Sequence, residues 1–131
     1  MNIPADLKYT NSHEWVKDLG NGVFEVGLSD YAQTALGDIV FVNLPQAGDS
    51  VTGGAAFGDI ESVKAVSDIN SPVTGAVKEV NESLLDTPAS INADPYGSWL
   101  IRAEGSCMDS LLPAAEYEKV VAEEEAAAAA H

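Results

Sequence analysis

The segment FGDIESVKAVSDINSPVTGAVKEVN, residues 57–81, decides the fold. Two short runs of β-branched and apolar residues flank Val63-Lys64-Ala65, and this pattern predicts two strands joined by a tight turn. Lys64 would then lie at the tip of a hairpin, with its amine open to solvent. It stands alone among small and apolar residues in a chain with 21 acidic and 6 basic side chains. An ordinary solvated lysine and a modification site both agree with this local pattern.

Strand signals continue on both sides of this hairpin. Residues 13–28 place two alternating segments around Gly20-Asn21-Gly22, which favours a tight reversal with positive φ angles. After them, Ser29 is a candidate helix N-cap and Gly37 a candidate helix end, so we expect a short helix between them. Further strands are predicted by DIVFVNLP (38–45) and WLIRAE (99–104).

The last third of the sequence differs in character. Residues 81–98 are dense in Asn, Asp, Pro, Ser and Gly, and they predict a long surface connection. A C-terminal helix is expected over about 113–125, with Pro113 at its first position and an apolar stripe of Tyr117, Val120 and Val121. The final alanines and His131 cannot bury a face, so we expect them to fray.

Size and charge limit the possible functions. With 131 residues, we expect one domain over 1–131, with a core at about 8–105. A formal net charge of −15 repels phosphate backbones and anionic lipids, so neither nucleic acid nor a membrane is an expected partner. Basic patches on other proteins are favoured instead. Cys107 is the one cysteine, which excludes an internal disulfide.

Common enzyme motifs are missing from the sequence. It has no GxSxG, HExxH or CxxC motif and no phosphate-binding glycine loop with a lysine. His13 and His131 are the only histidines, so a histidine-rich metal site cannot form. We therefore expect no catalytic residue, no metal and no enzymatic activity.

The chain as a whole resembles the H proteins of the glycine cleavage system. The segments that carry the resemblance follow in the family's order: LKYTNSHEWV (7–16), GLSDYAQTALGDIVFVNLP (27–45), ESVKAVSDINSPVTGAVKEVN (61–81), DPYGSWLI (94–101) and YEKVVAEEE (117–125). The resemblance implies a mostly β fold, the barrel-sandwich hybrid. This is a flattened barrel of two sheets of the lipoyl/biotinyl type, with short peripheral helices and a C-terminal helix.

The resemblance also implies the modification. Lys64 matches the lysine that carries lipoate through an amide bond. Gly53 and Gly75 lie eleven residues before and after it, and Glu61 lies three before it. These three match positions that a lipoyl transferase or ligase recognises. Each glycine also has a purely structural interpretation, as a turn or a strand junction.

A shuttle role follows from the same resemblance. The lipoyl arm would accept an aminomethyl group at the P protein, a pyridoxal-phosphate glycine decarboxylase, and deliver it to the T protein, an aminomethyltransferase. The L protein, a dihydrolipoyl dehydrogenase, would then reoxidise the arm. The matching residues of the cleft that holds the loaded arm are Ser12, Glu14 and Asp68. Ala35 departs from certain plant members, which have a histidine there.

Other interpretations of the hairpin remain. A biotin carrier shares the hairpin but sets its lysine between methionines, whereas Val63 and Ala65 flank Lys64 here. A lipoyl-relay protein that donates lipoate to other complexes, and an unmodified structural protein, are further alternatives. We expect a monomer. Likeness to plant and algal members indicates the mitochondrial matrix, with a transit peptide removed and a role in photorespiration, and the bacterial cytoplasm is the alternative.

Overall fold

A computed structural model describes residues 2–129 of the chain. Its elements, in chain order, are β1 (Lys8–Tyr9), β2 (Glu14–Gly20), β3 (Val23–Leu28), α1 (Asp30–Leu36), β4 (Ile39–Asn43), β5 (Ser50–Val51), β6 (Ala56–Ser62), β7 (Val66–Asn70), β8 (Val73–Val80), α2 (Ser83–Asp86), α3 (Ser90–Ala93), β9 (Ile101–Cys107), β10 (Leu112–Pro113) and α4 (Ala114–Ala129). Strands therefore dominate, as the sequence predicts.

The strands form two antiparallel sheets. A seven-stranded sheet has the order β10-β1-β2-β3-β9-β8-β5, and a three-stranded sheet has the order β4-β6-β7. One core cluster joins the sheets, because Leu28 of β3 packs with Ile60 of β6 and Ile69 of β7. Within residues 2–129, backbone pairing does not join the two sheets into a closed barrel. The expected fold of two sheets with a C-terminal helix is confirmed, in this open form.

Local turn chemistry acts as predicted near the start of the chain. Gly20, Asn21 and Gly22 all have positive φ angles, and they connect β2 to β3. The Ser29 hydroxyl accepts a hydrogen bond from the backbone N–H of Ala32 and caps α1. Gly37 ends this helix with φ 77°, a left-handed value that glycine adopts without steric cost.

The segment 81–98 is the largely exposed connection between β8 and β9 that its composition indicates, but it also has regular structure of its own. It forms the two short helices α2 and α3, and each of them inserts one side chain into the core. Leu84 and Ile91 are fully buried in the cluster shared by the two sheets. The composition did not indicate the two short helices, whose position is decided by these two apolar residues within a polar segment.

The C-terminal helix α4 begins at Ala114 and extends to Ala129, beyond the predicted end near 125. Pro113 is not its first residue but belongs to β10, which pairs with β1. The predicted apolar stripe does face the protein, since Tyr117 and Val121 are buried beside Tyr9 and Trp15. His131 lies outside the described residues.

Candidate functional site

Hydrogen bonds shape the tip of the β6–β7 hairpin, where Lys64 lies. The backbone N–H of Ser62 donates to the Ala65 carbonyl at 2.8 Å, and the Ser62 hydroxyl accepts from the N–H groups of Lys64 and Ala65, each at 3.2 Å. The N–H of Val63 donates to the carbonyl of Asp38 at 3.0 Å. The tip therefore has a defined backbone and is attached to the loop between α1 and β4.

The Lys64 side chain is exposed on this tip. None of the salt bridges found in residues 2–129 includes it. Its aliphatic stem lies beside Gly37, where an added Cβ would be 3.2 Å from the Cε of Lys64. The prediction that Lys64 occupies an exposed hairpin tip is confirmed.

Exposed apolar side chains surround the tip. Phe41 of β4 pairs with Glu61 of β6, which pairs with Val66 of β7, so these three side chains share the outer face of the small sheet. We call the exposed residues Val40, Phe41, Val63 and Val66 the tip patch, and each of them is between 46% and 67% exposed. Exposed large apolar groups at one place are typical of a contact surface.

A small cavity of about 140 Å³ lies between α1, the small sheet and the turn before β2. It contains all three predicted cleft residues, Ser12, Glu14 and Asp68. Its apolar lining comes from Leu28, Ala32, Ala35, Leu36 and Ile60, and His13 and Ser67 complete it. Leu36 of this lining is followed in the chain by Gly37, the residue that the stem of Lys64 approaches.

Glu14 is the most unusual residue of this cavity because it is a carboxylate with 1% exposure. One carboxylate oxygen accepts from the hydroxyls of Thr10 at 2.6 Å and Ser12 at 2.5 Å, and the other accepts from the N–H of Asn70 at 3.3 Å. Burial raises the pKa of Glu14, and these hydrogen bonds oppose the rise. No described basic side chain forms a salt bridge with it. The cavity thus offers a buried acceptor to a cation.

The predicted recognition residues fall in two places. Glu61 lies on β6, three residues before Lys64, and pairs with Val66 beyond the tip. Gly53 and Gly75 lie close to each other, because the N–H of Gly53 donates to the Thr74 hydroxyl at 2.8 Å. Gly53 forms a bridge with Ser71, past the end of β7, so both glycines lie away from the hairpin tip.

Tight packing explains both glycines. A Cβ at Gly75 would overlap the carbonyl oxygen of Glu104 on the neighbouring strand β9, and a Cβ at Gly53 would lie 2.6 Å from the Cγ of Met108. These contacts support the structural interpretation of both glycines, because neither position has room for a larger side chain without a shift of its neighbour. Recognition by a lipoylating enzyme stays a prediction.

Sequence reasoning missed two residues of the site, His13 and Tyr117. His13 lines the cavity, and its Nδ1 lies 2.8 Å from the Tyr117 hydroxyl of α4. The apolar stripe of α4 indicated only that Tyr117 would be buried. Nothing in the local pattern indicated its partner, 104 positions away in the chain.

Comparison with known proteins places this geometry in a family. The sequence profile described as "Glycine cleavage H-protein" matches residues 7–124. The chain belongs to the glycine cleavage H-protein family. Members carry lipoate covalently on a lysine and act as carrier components of the glycine cleavage system, without catalysis of their own.

Individual relatives are similar over nearly the whole chain. The glycine cleavage system H protein of Burkholderia vietnamiensis is 52% identical over 123 residues, which span 92% of this chain and 98% of the relative. That of Idiomarina loihiensis is 52% identical over 127 residues, with 94% and 98% covered. The crystal structure of an H protein from Mycobacterium marinum superposes with a TM-score of 0.84 at 41% identity, covering 89% of this chain and 97% of that one.

These H-protein relatives change one expectation. They are bacterial, and they give no support to a plant or algal mitochondrial origin, a removed transit peptide or a role in photorespiration. No helix among residues 2–129 is long and apolar enough to cross a membrane.

Proposed function

We propose that Lys64 is the lipoyl-attachment residue and that the chain shuttles an aminomethyl group between the enzymes of the glycine cleavage system. The observation that carries this proposal is the position of Lys64. It is exposed on an ordered hairpin tip, and its stem approaches Gly37, the residue that follows Leu36 of the Glu14 cavity. An acylating enzyme can reach the amine from solvent, and an attached arm can reach the cavity.

The cavity suits the end of such an arm. Its volume of about 140 Å³ is close to the roughly 150 Å³ that admits a benzene-sized ring in an engineered protein. Apolar side chains of α1 would pack against a dithiolane ring, and Glu14 lies where an ammonium group would enter. When bound, the lipoyl group supplies a disulfide that takes up the aminomethyl group and ends as a dithiol.

This chain's own residues would then hold and protect the cargo. The hydroxyls of Thr10 and Ser12 fix one oxygen of Glu14, which keeps the carboxylate oriented into the site. Asp68 adds a second acidic side chain at the cavity wall. The surrounding apolar residues exclude water from the labile group. Confinement near the protein also raises the effective concentration of the arm for a docked partner.

The finer partner assignments belong to the same proposal. We infer that the chain receives its cargo from the P protein, delivers it to the T protein and is reoxidised by the L protein. A lipoyl transferase or ligase would contact the tip patch when it acylates Lys64, and Glu61 lies within that surface. The net charge of −15 favours partner faces with basic rims.

We further propose a monomer that folds as one carrier domain over 1–131. The shared cluster of Leu28, Ile60 and Leu100, which links both sheets, supports a single domain. The bacterial relatives support a role in the bacterial cytoplasm.

Mutation of the attachment lysine tests the proposal. Lys64→Arg keeps the charge but removes the acylatable amine, so we expect no lipoyl mass increment and no glycine cleavage with purified P, T and L proteins. Lys78→Arg is the matched control. Lys78 is exposed, as Lys64 is, but it lies on strand β8 of the large sheet, away from the hairpin tip. Full lipoylation of Lys64→Arg would show that the assigned site is wrong. A lipoylated chain that fails in glycine cleavage but donates lipoate to other complexes would favour the relay alternative.

A further inference from the structure

The turn before β2 holds the cleft carboxylate in place through an unusual backbone conformation. His13 has φ 77°, a left-handed value that strains a non-glycine residue and persists only where the surrounding structure enforces it. In this turn the N–H of His13 donates to the Thr10 carbonyl at 3.2 Å, and the N–H of Thr10 donates to the Glu14 carbonyl at 3.0 Å. The same turn carries the Thr10 and Ser12 hydroxyls that bind the Glu14 carboxylate.

The C-terminal helix supplies the contacts that enforce this conformation. Nδ1 of His13 lies 2.8 Å from the Tyr117 hydroxyl, and Nε2 lies 2.5 Å from the Glu124 carboxylate. Both partners belong to α4, one on each side of the imidazole ring. The His13 side chain is 15% exposed, so both contacts to α4 lie in a largely buried environment.

Tyr117 also fixes the opposite wall of the cavity. Its hydroxyl lies 2.6 Å from the hydroxyl of Ser29, the N-cap of α1. The N–H of Ser29 in turn donates to the His13 carbonyl at 3.0 Å. Since α1 contributes Ala32, Ala35 and Leu36 to the cavity, one tyrosine connects the carboxylate-bearing turn with the apolar wall.

A consistent set of proton positions runs through this network. We assign a proton on Nε2 of His13 that donates to Glu124, so that Nδ1 accepts from the Tyr117 hydroxyl and the Tyr117 oxygen accepts from Ser29. Burial lowers the pKa of His13 and Glu124 opposes this, with burial the larger effect. A neutral imidazole of this tautomer agrees with every contact.

We propose that His13 and Tyr117 are positioning residues for the lipoyl arm: through them, helix α4 sets the spacing between Glu14 and the α1 wall and thereby the protection of the loaded arm from water. This inference rests on the proposed function, since it assigns the cavity to the arm. Neither residue is required to touch the arm itself.

Removal of one hydroxyl tests the inference. Tyr117→Phe keeps the ring that stacks on Tyr9 with centroids 4.4 Å apart and deletes both hydrogen bonds. Tyr31→Phe is the matched control, because the Tyr31 ring also lies beside His13 but its hydroxyl has no hydrogen bond among the described residues. The measurement is the rate at which lipoylated, aminomethyl-loaded protein releases its cargo to water without the aminomethyltransferase.

We expect Tyr117→Phe to release the cargo at least about two- to tenfold faster, since each of the two lost hydrogen bonds can have an effect of that size, and Tyr31→Phe to match the wild type. The ¹⁵N NMR signals of His13 should report the Nε2-protonated tautomer in both proteins, because Glu124 still accepts from Nε2, and the Nδ1 signal should shift in Tyr117→Phe, because Nδ1 loses the hydroxyl that donates to it. A purely structural role would lower the melting temperature and leave the release rate unchanged, which would overturn the inference.

Further variants keep the test decisive if Tyr117→Phe does not fold. Glu124→Gln weakens the hydrogen bond that Nε2 of His13 makes to α4, so it should also accelerate release. Glu123 is an exposed neighbour of Glu124, and Glu123→Gln should not accelerate release. His13→Asn should retain more protection than His13→Val, because Asn tolerates positive φ and a β-branched residue does not. Equal release rates in all lipoylated variants would refute the positioning role but leave Lys64 as carrier. Absence of lipoate on wild-type Lys64 would refute the proposed function and this inference with it.

Discussion

The stem of Lys64 lies against Gly37, so that the end of α1 touches the side chain at the hairpin tip. A Cβ at Gly37 would be 3.2 Å from Cε and 3.6 Å from Nζ of Lys64. Leu36, which lines the cavity, is the neighbour of Gly37 in the chain, so this contact connects Lys64 to the end of the helix that forms the cavity wall. Glycine at this position therefore serves both the left-handed helix end and the approach of the lysine.

Gly37→Ala tests this contact. The alanine would strain a φ of 77°, at a cost of about 1–3 kcal/mol, and its methyl group would displace the lysine stem. We expect a lower melting temperature and slower lipoylation by a purified lipoyl ligase. Gly48→Ala is the control, because Gly48 has φ 95° but nothing within 4 Å of an added Cβ. If both variants are lipoylated at the wild-type rate, the contact has no role in modification.

Gly53 and Gly75 should differ in their tolerance of a methyl group. A Cβ at Gly75 meets the backbone of Glu104, which cannot move without breaking strand pairing, whereas at Gly53 it meets the flexible side chain of Met108. We expect Gly75→Ala to destabilise the fold by about 3 kcal/mol or more and Gly53→Ala by less than half of that, as measured by urea unfolding. Met108→Ala should relieve the crowding in Gly53→Ala. A folded Gly53→Ala that is lipoylated slowly would support the recognition role.

Glu14 should make the stability of the unmodified protein depend on pH. Its pKa is raised by burial, so between the ordinary value of 4.5 and the raised value the folded state binds more protons than the unfolded state. Stability therefore falls as pH rises through this window. Glu14→Gln removes this dependence. We therefore expect the difference in melting temperature, Glu14→Gln minus wild type, to increase as the pH rises above 4.5.

Glu118→Gln provides the control, because it makes the same substitution at an exposed position of α4. The carboxyl carbon of Glu14, followed by ¹³C NMR, should titrate above 4.5 in the unmodified protein. An ordinary titration would contradict the buried position of the carboxylate.

Two adjacent leucines test the packing of the 81–98 segment. Leu84 is 1% exposed and Leu85 is 52% exposed. We expect Leu84→Ala to lower the free energy of unfolding by about 2–5 kcal/mol, as buried leucines do, and Leu85→Ala to change it by about 0.5 kcal/mol or less. Chemical unfolding of both variants gives the comparison. Equal losses would show that α2 packs on the core in another way.

Much of the fold was predictable because its signals are local. The φ angles at Gly20, Asn21 and Gly22, and the cap of α1 at Ser29, depend on residues a few positions apart. The Lys64 hairpin was predictable for the same reason. The packing of segment 81–98 was not predictable from its many polar turn residues. The burial of Leu84 and Ile91 depends on strands far away in the chain.

The sequence by itself determined the hairpin, the two ends of α1 and, through family resemblance, the H-protein assignment and the expected lipoate. Only the tertiary structure decided what surrounds them. It brought Glu14 to Asn70, 56 positions away, and His13 to Tyr117, 104 positions away. It also showed that Gly75 is packed against Glu104. Burial, pKa and side-chain contacts depend on which distant segments meet, and no local pattern contains that information.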